Sequence, residues 1–191
     1  AVFTITTTWR TGRQILASRL RAGLLPLESF ISGISEQSVT RVAGTAVFLT
    51  RNVDGVPPIL LHHVEHNKVL HAQVVILMVA TEEVPKVEQY DRVQIEGLGH
   101  GFYRVVAHYG FMESPNIPEV LRSCRESGFD FELSQTTFFL GRETIIATDR
   151  PGMAIWREEL FAYMSRNSER ATEFFKLPRD RVIEIGIQIG I

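Results

Sequence analysis

The chain has 191 residues, of which 45% are hydrophobic and 22% are charged, and its formal net charge is −2. This composition is sufficient for a hydrophobic core, and it lacks the basic excess that nucleic-acid binding requires, so we expect no nucleic-acid partner. A single cysteine, Cys124, excludes an internal disulfide framework and a cysteine-rich zinc site.

The first nine residues, AVFTITTTW, are uncharged, and four arginines follow them before the first acidic residue. No apolar run reaches the ~18 residues that indicate a membrane-spanning helix. A tryptophan followed by arginines is nevertheless the pattern with which a transmembrane helix leaves the bilayer on its cytoplasmic side. The alternative is a strand and a basic helix in a soluble protein, and composition alone favours this alternative.

Helical spacing of leucine and isoleucine predicts a helix from Thr11 to about Ser32, which Gly23 and Pro26 interrupt. A short polar linker follows, and we place the start of the compact domain near Val39. Further along, continuous apolar runs are typical of strands that are buried on both faces. They predict strands at Thr45–Thr50 and Val74–Ala80, with a two-turn helix at Ile59–His66 between them.

Alternating patterns at Arg92–Leu98 and Phe102–Tyr109 predict a β-hairpin. Glycines at every second position join the two strands, and since no helix follows them they favour a tight turn over a phosphate-binding loop. The next predicted helix is Pro118–Ser127. Cys124 lies on its apolar side and is interpreted as a buried structural residue.

The last third of the chain is predicted to contain two strands, two helices and a closing strand, at Gln135–Leu140, Glu143–Thr148, Asp149–Arg166, a segment ending at Lys176, and Val182–Ile191. Trp156 is expected on the apolar stripe of the longer helix, and Phe174 is expected to face inward in the shorter one. These elements predict an α/β fold of the mixed α+β kind. It has a mixed β-sheet of about six strands including a β-hairpin, it is covered by helices, and an N-terminal connector helix precedes it.

Four of the six histidines lie between positions 62 and 71, and His62, Glu65 and His66 match an inverted zinc-protease signature. On a helix, His62 and His66 project from one face, where two imidazoles can hold zinc beside a carboxylate that polarises its water. No third ligand is evident downstream, and the helix is short. The sequence therefore favours a structural interpretation, in which the histidines cap the helix end, over a zinc-dependent hydrolase.

Six long segments of the chain resemble one family in the same order. They are TTWRTGR at 7–13, RVAGTAVFLT at 41–50, GVPPILLHHVEHNKVLH at 55–71, GHGFYRVVAHYGFME at 99–113, FFLGRETII at 138–146 and the stretch 153–189. The chain resembles the cytoplasmic C-terminal domain of bacterial KUP-type (KUP/HAK/KT) potassium uptake transporters. Val42-Ala43-Gly44 departs from the Val-Pro-Gly of that family.

The resemblance implies a non-enzymatic accessory and regulatory domain on the cytoplasmic face of the bacterial inner membrane. Residues 1–9 would be the end of the last transmembrane helix, 10–38 a juxtamembrane connector helix, and 39–191 the cytosolic domain. The implied partner is the transporter's own membrane core, which would carry potassium with protons, so the chain itself would hold no cofactor. Homodimer formation and a nucleotide-sensing role with a cyclic dinucleotide stay open.

Overall fold

Six strands form a single sheet in the computed structural model, which describes residues 2–22, 25–34, 39–52, 55–146, 153–166 and 171–190. In chain order the helices and strands are α1 Val2–Ala22, α2 Leu27–Gly33, β1 Thr40–Thr50, α3 Pro58–Asn67, β2 Val69–Glu82, β3 Val93–Gly99, β4 Phe102–Gly110, α4 Ile117–Glu126, β5 Thr136–Ile146, α5 Ile155–Arg166, α6 Ala171–Phe174 and β6 Val182–Gly190. The predicted mixed α/β fold is therefore confirmed.

The strand order in the sheet is β3-β4-β2-β1-β5-β6. β1 is parallel to both of its neighbours, β2 and β5, and β4 is parallel to β2. β3 is antiparallel to β4, as the predicted hairpin requires. Parallel neighbours need a crossover connection, and α3 supplies the one between β1 and β2.

Contacts divide the chain into a larger unit, residues 25–141 and 170–185, and a smaller unit, residues 1–24, 142–169 and 186–191. In the larger unit Val47 and Phe138, which face each other across β1 and β5, belong to the hydrophobic core that includes α4. The next residues, Phe48 and Phe139, stack with ring centroids 4.6 Å apart. Because side chains alternate along a strand, this stack lies on the opposite face of the sheet.

The predicted turn between β3 and β4 is confirmed in its backbone geometry. His100 and Gly101 have φ angles of 51° and 78°, the pair of positive values that a two-residue hairpin turn needs. The carbonyl of Gly101 accepts a hydrogen bond from the amide of Val74 at 2.8 Å. This hydrogen bond connects the hairpin turn to β2. A strand, β4, follows the glycine-rich segment, so the helix N-terminus that a phosphate-binding loop needs is not at this position.

The predicted helix Pro118–Ser127 is observed as α4, Ile117–Glu126, and the side chain of Asn116 caps it by accepting a hydrogen bond from the amide of Glu119 at 3.4 Å. Cys124 is buried on this helix, and burial raises the pKa of its thiol to about 12. Cys124 has no exposed surface, so the prediction that it is buried is confirmed.

The smaller unit is built around the contact of α1 with α5. The ring of Phe161 is fully buried there, and its centroid lies 5.5 Å from that of Trp9. Gly12 lies directly against Phe161, and the guanidinium Nε of Arg157 donates a hydrogen bond to the hydroxyl of Thr8 at 3.0 Å. Among the described residues, no helix has both the length and the hydropathy needed to cross a membrane.

Several predicted boundaries differ from the observed ones. The two strands expected at Gln135–Leu140 and Glu143–Thr148 form one strand, β5, since a glycine weakens a strand without ending it unless the chain turns. The helix predicted from Thr11 already begins at Val2. Asp149, where the longer helix was predicted to begin, lies outside the described residues.

Two aromatic residues predicted to face the core are exposed instead: Trp156 is 56% exposed and Phe174 is 46% exposed. Trp156 precedes the buried Phe161 by five residues, which places the two side chains about 140° apart around the helix axis. Phe174 belongs to a helix of only four residues, and its neighbour Phe175 contacts the core in its place.

Gly44 sits at an irregularity of β1, where the register with β2 shifts between Val42 and Thr45. Its φ angle is 97°, and a Cβ atom at this position would lie 2.6 Å from the carbonyl oxygen of Gln135. Both features require glycine, because an L side chain is strained at this φ and no space exists for one.

Replacing Gly44 with alanine is expected to lower the free energy of unfolding by about 1–3 kcal/mol, the usual cost of a strained backbone. Gly33→Ala is the matched control, since a Cβ at Gly33 has nothing within 4 Å. Urea midpoints of the two variants measure the difference. Equal midpoints would show that the strand can shift to accept a side chain at position 44.

Candidate functional site

The predicted zinc motif lies on the outer face of α3. His62, Glu65 and His66 are all exposed, and the rings of the two histidines lie side by side with centroids 4.2 Å apart. The i, i+4 spacing therefore brings the two imidazoles together as expected. Within the described ranges no three metal-binding side chains gather at one point.

The neighbouring His63 points the other way and is 6% exposed. Its ring packs against the stacked pair of Phe48 and Phe139, with centroid distances of 5.9 Å and 4.7 Å. The amide nitrogen of Asn67 is 2.9 Å from Nδ1 of His63. The second ring nitrogen, Nε2, is buried and has no hydrogen-bond partner in the described part of the chain.

His71, at the start of β2, forms the other half of this inner pair. Its ring centroid lies 6.4 Å from that of His63 and 6.0 Å from that of Phe139. The Nδ1 atom of His71 is also buried, and among the residues described it too has no hydrogen-bond partner. Its backbone carbonyl accepts a hydrogen bond from Nη1 of Arg41 at 2.8 Å.

Burial lowers the pKa of both inner histidines, because a charged imidazolium is poorly solvated in this apolar environment. The pKa of His63 is lowered further by repulsion from His71. Both rings are therefore neutral at pH 7. Each unmatched nitrogen costs the desolvation of a polar group, about 1–3 kcal/mol.

The sequence already distinguishes the inner histidine, His63, from the outer pair, His62 and His66, although the zinc motif draws attention to the outer pair. His63 follows Ile59 by four residues and Leu60 by three, and both of these side chains are buried. Residues at these spacings share one helical face, so His63 belongs to the apolar stripe of α3. The prediction that the histidines cap the helix end and pack near the sheet edge therefore does not describe His63, which is a core residue.

A second polar cluster surrounds a cleft of about 320 Å³ in the larger unit. Residues lining it are Gln89, Arg92, Tyr109, Glu113, Ser114, Glu119, Val120, Ser123 and Lys176. The guanidinium of Arg92 lies 4.5 Å from the ring centroid of Tyr109 and donates to the carboxylate of Glu113 at 2.6 Å. It also donates to the carbonyl of Val87 at 2.7 Å. Arg92 thus contacts Val87, Glu113 and Tyr109 at the same time.

Glu113 joins the two loops beside this cleft. One carboxylate oxygen accepts from Arg92, and the other accepts from the amides of Val87 at 3.0 Å and Gly110 at 2.8 Å. The hydrogen bond from Arg92, followed by those from the backbone amides, lowers the pKa of Glu113 to about 2. The cluster therefore stabilises the loops after β2 and β4.

Comparison with known proteins identifies the chain's relatives. The family model described as the K+ potassium transporter C-terminal domain matches residues 43–191. The chain belongs to this family. No solved structure matches it.

Named relatives match the chain over its whole length. It is 55% identical over 190 residues to the probable potassium transport system protein Kup of Myxococcus xanthus, a match that covers 100% of the chain and 29% of that protein. It is 51% identical to the probable potassium transport system protein Kup 1 of Geobacter sulfurreducens and 50% identical to Kup 2 of Chromobacterium violaceum, covering all of the chain and 30% and 31% of those proteins. The chain thus spans about 30% of the length of these relatives, and the family resemblance seen in the sequence is confirmed.

Both polar clusters lie inside the matched part of the chain, residues 43–191, apart from Arg41. For the inner histidines the pKa shifts predict how the free energy of unfolding changes with pH. For the inner histidines the unfolded pKa is near the ordinary 6.5 and the folded pKa is lower, so below pH 6.5 the unfolded chain binds more protons. Their contribution to stability is complete above pH 6.5 and is lost as the pH falls through the folded values.

We therefore expect the free energy of unfolding to fall as the pH is lowered from 7 towards 5. The double variant His63→Gln/His71→Gln should lose most of this slope, while the exposed pair His62→Gln/His66→Gln should retain it. Urea unfolding at several pH values measures the slope for each protein. If removal of the exposed pair flattens the slope and removal of the inner pair does not, the assignment is wrong.

Replacing Glu113 with glutamine is expected to release the two loops at neutral pH, because an amide makes weaker bonds to Arg92 and to the backbone amides. Trypsin should then cleave after Lys86 several-fold faster than in the parent chain. Glu88→Gln removes an exposed acid from the same loop and should leave the cleavage rate unchanged. Equal rates in all three proteins would show that Glu113 does not hold the loops closed.

Proposed function

We propose that the chain is the cytosolic accessory and regulatory domain of a bacterial potassium uptake transporter, with no enzymatic activity of its own. The supporting observation is that the whole chain is similar to a segment of proteins described as probable potassium transport system proteins Kup. That segment makes up about 30% of the length of each of those proteins. The rest of such a protein would form the membrane core that moves potassium, with proton symport as its coupling. The domain would lie on the cytoplasmic face of the inner membrane.

The same proposal divides the chain into residues 1–9, the end of the last transmembrane helix, 10–38, a connector, and 39–191, the cytosolic domain. The continuity of α1 from Val2 to Ala22 supports it, since one helix runs through the junction at Trp9 without a break. Phe3 is 80% exposed, as an unpartnered end of a membrane helix would be.

The threonines of the first two turns of α1 add further support. The hydroxyl of Thr7 donates to the carbonyl of Phe3 at 2.7 Å, and the hydroxyl of Thr6 donates to that of Val2 at 3.1 Å. Such internal hydrogen bonds satisfy a hydroxyl without water, which is the condition inside a bilayer. The arginines that follow then remain on the side of the anionic lipid.

The alternatives that the sequence left open gain no support from the described residues. His62, Glu65 and His66 lie on an exposed helix face without a third ligand in the described part of the chain, which a catalytic zinc needs. Arg92 in the polar cleft is already engaged by Glu113 and Val87. Neither a zinc hydrolase nor a cyclic-dinucleotide sensor is therefore preferred, and homodimer formation is a separate question.

Deleting residues 40–191 from the full-length protein tests the proposal. In cells that lack their own potassium uptake systems, the deletion should reduce growth on limiting potassium and lower rubidium uptake several-fold. The membrane core should still insert, as fluorescence of a C-terminal tag would show. The tagged full-length protein is the control. Normal uptake and normal response to external potassium in the truncated protein would contradict an accessory or regulatory role.

A further inference from the structure

The loops that follow β2 and β4 leave the sheet at the same edge, because these two strands are parallel and pair up to their last residues. Beyond the strands the two chain segments stay side by side. The amide of Phe111 donates a hydrogen bond to the carbonyl of Val84 at 2.9 Å, and the amide of Met112 donates one to the carbonyl of Pro85 at 3.2 Å. The two loops therefore form one continuous surface.

Three large apolar side chains of this surface, Val84, Phe111 and Met112, are exposed, and we call them the loop patch. The first loop adds Tyr90, which is 81% exposed. Single exposed apolar residues are common on proteins, whereas neighbouring ones with a polar rim are typical of an interaction surface. Aromatic residues and methionine are also the side chains that protein interfaces favour. The loop patch thus has the composition of a docking surface.

Contacts between the two loops hold the loop patch in place. The carboxylate of Glu113 accepts hydrogen bonds from Arg92 and from backbone amides of both loops. Gly110 lies so close to the backbone of Pro85 that a Cβ atom would not fit there. A surface that is already ordered loses little conformational entropy when a partner binds, so the patch is prepared for binding.

Acidic side chains dominate the rest of this surface. Glu83, Glu88 and Asp91 are exposed in the first loop, and Lys86 is the one basic residue between positions 83 and 91. An apolar centre with an acidic rim favours a partner that is both apolar and basic. The same charge opposes two other partners. Anionic lipid headgroups would repel the rim, and in a two-fold dimer through the patch each rim would face its own copy.

We propose that the loop patch docks a cytoplasmic loop, rich in lysine and arginine, from the membrane core of the same transporter. This inference rests on the function proposed above. The chain spans about 30% of the length of its relatives, so most of such a protein lies outside it. Cytoplasmic loops of membrane proteins carry an excess of lysine and arginine. They therefore offer the chemistry that the patch selects, and attachment to the same chain raises their effective concentration.

Photo-crosslinking in the full-length transporter tests the docking. The photoreactive residue p-benzoylphenylalanine replaces Met112 in one protein and His66, on the outer face of α3, in the control. Mass spectrometry identifies the peptide that each probe joins. We expect the probe at 112 to join a basic loop between two transmembrane helices, and the probe at 66 to give several-fold less of this product. The yield should fall when salt is raised from about 0.05 M to about 0.5 M.

Variants of the protein with the probe at 112 separate the two parts of the surface. The triple variant Glu83→Lys/Glu88→Lys/Asp91→Lys should lower the yield several-fold, because its rim would repel a basic loop. Phe111→Ser should also lower it, and since the ring of Phe111 is 60% exposed this variant keeps the fold. Glu65→Lys reverses an exposed acid on α3 and should leave the yield unchanged.

Three results would overturn the proposal. They are a crosslink from position 112 to the cytosolic domain of a second copy, a crosslink to lipid, and equal yields of the loop product from the two probe positions. Rubidium uptake by the protein that lacks residues 40–191 is measured in the same cells. Reduced uptake without the loop product would contradict the docking and support the accessory role. The loop product with normal uptake in the truncated protein would support the docking and contradict the accessory role.

Discussion

The central strand β1 has a parallel partner on each side, β2 and β5, and most of the structure is constrained by that position. Ala46, Val47 and Phe48 have no exposed surface, because their side chains alternate between two faces that are both covered. A parallel neighbour cannot be reached through a tight turn, so the chain leaves β1, crosses the sheet as α3 and enters β2. The placement of α3 against Phe48 and Phe139 is a consequence of this parallel pairing.

The crossover helix then determines what each of its histidines can do. With about 3.6 residues per turn, His62 and His66 share the outer face and His63 faces the sheet. The imidazole of His63, buried against Phe48 and Phe139, is tolerated because it stays neutral and because Asn67 satisfies one of its nitrogens. Three buried side-chain atoms among the described residues have no hydrogen-bond partner, and two of them belong to His63 and His71, the third being Nε of Arg104.

The sequence predicted most elements because their signals are local. The buried strands were recognisable as apolar runs, and the hairpin was recognisable by its glycines. Strand ends were not predictable in this way. β1 already begins at Thr40, and none of its first five residues is buried, so pairing with β2 is what extends the strand. Trp156 was misplaced because an apolar residue within a helix does not reveal which face the helix buries.

The site was less predictable than the fold, for a physical reason. The spacing of His62, Glu65 and His66 is visible in the sequence, whereas the pairing of His63 with His71 depends on how α3 lies over the sheet. Phe139, which contacts both inner rings, comes from a strand almost 70 positions later in the chain. Long-range contacts of this kind exist only in the assembled sheet, and periodicity carries no information about them.

Burial affects both the fold and the protonation of the inner pair. The apolar surroundings that lower the pKa of His63 and of His71 also remove the water that would otherwise satisfy the rings. The aromatic contacts that fix α3 on the sheet therefore keep both imidazoles neutral at neutral pH, and they leave one nitrogen of each ring without a partner among the described residues. The stability of the fold and its dependence on pH thus rest on the same contacts.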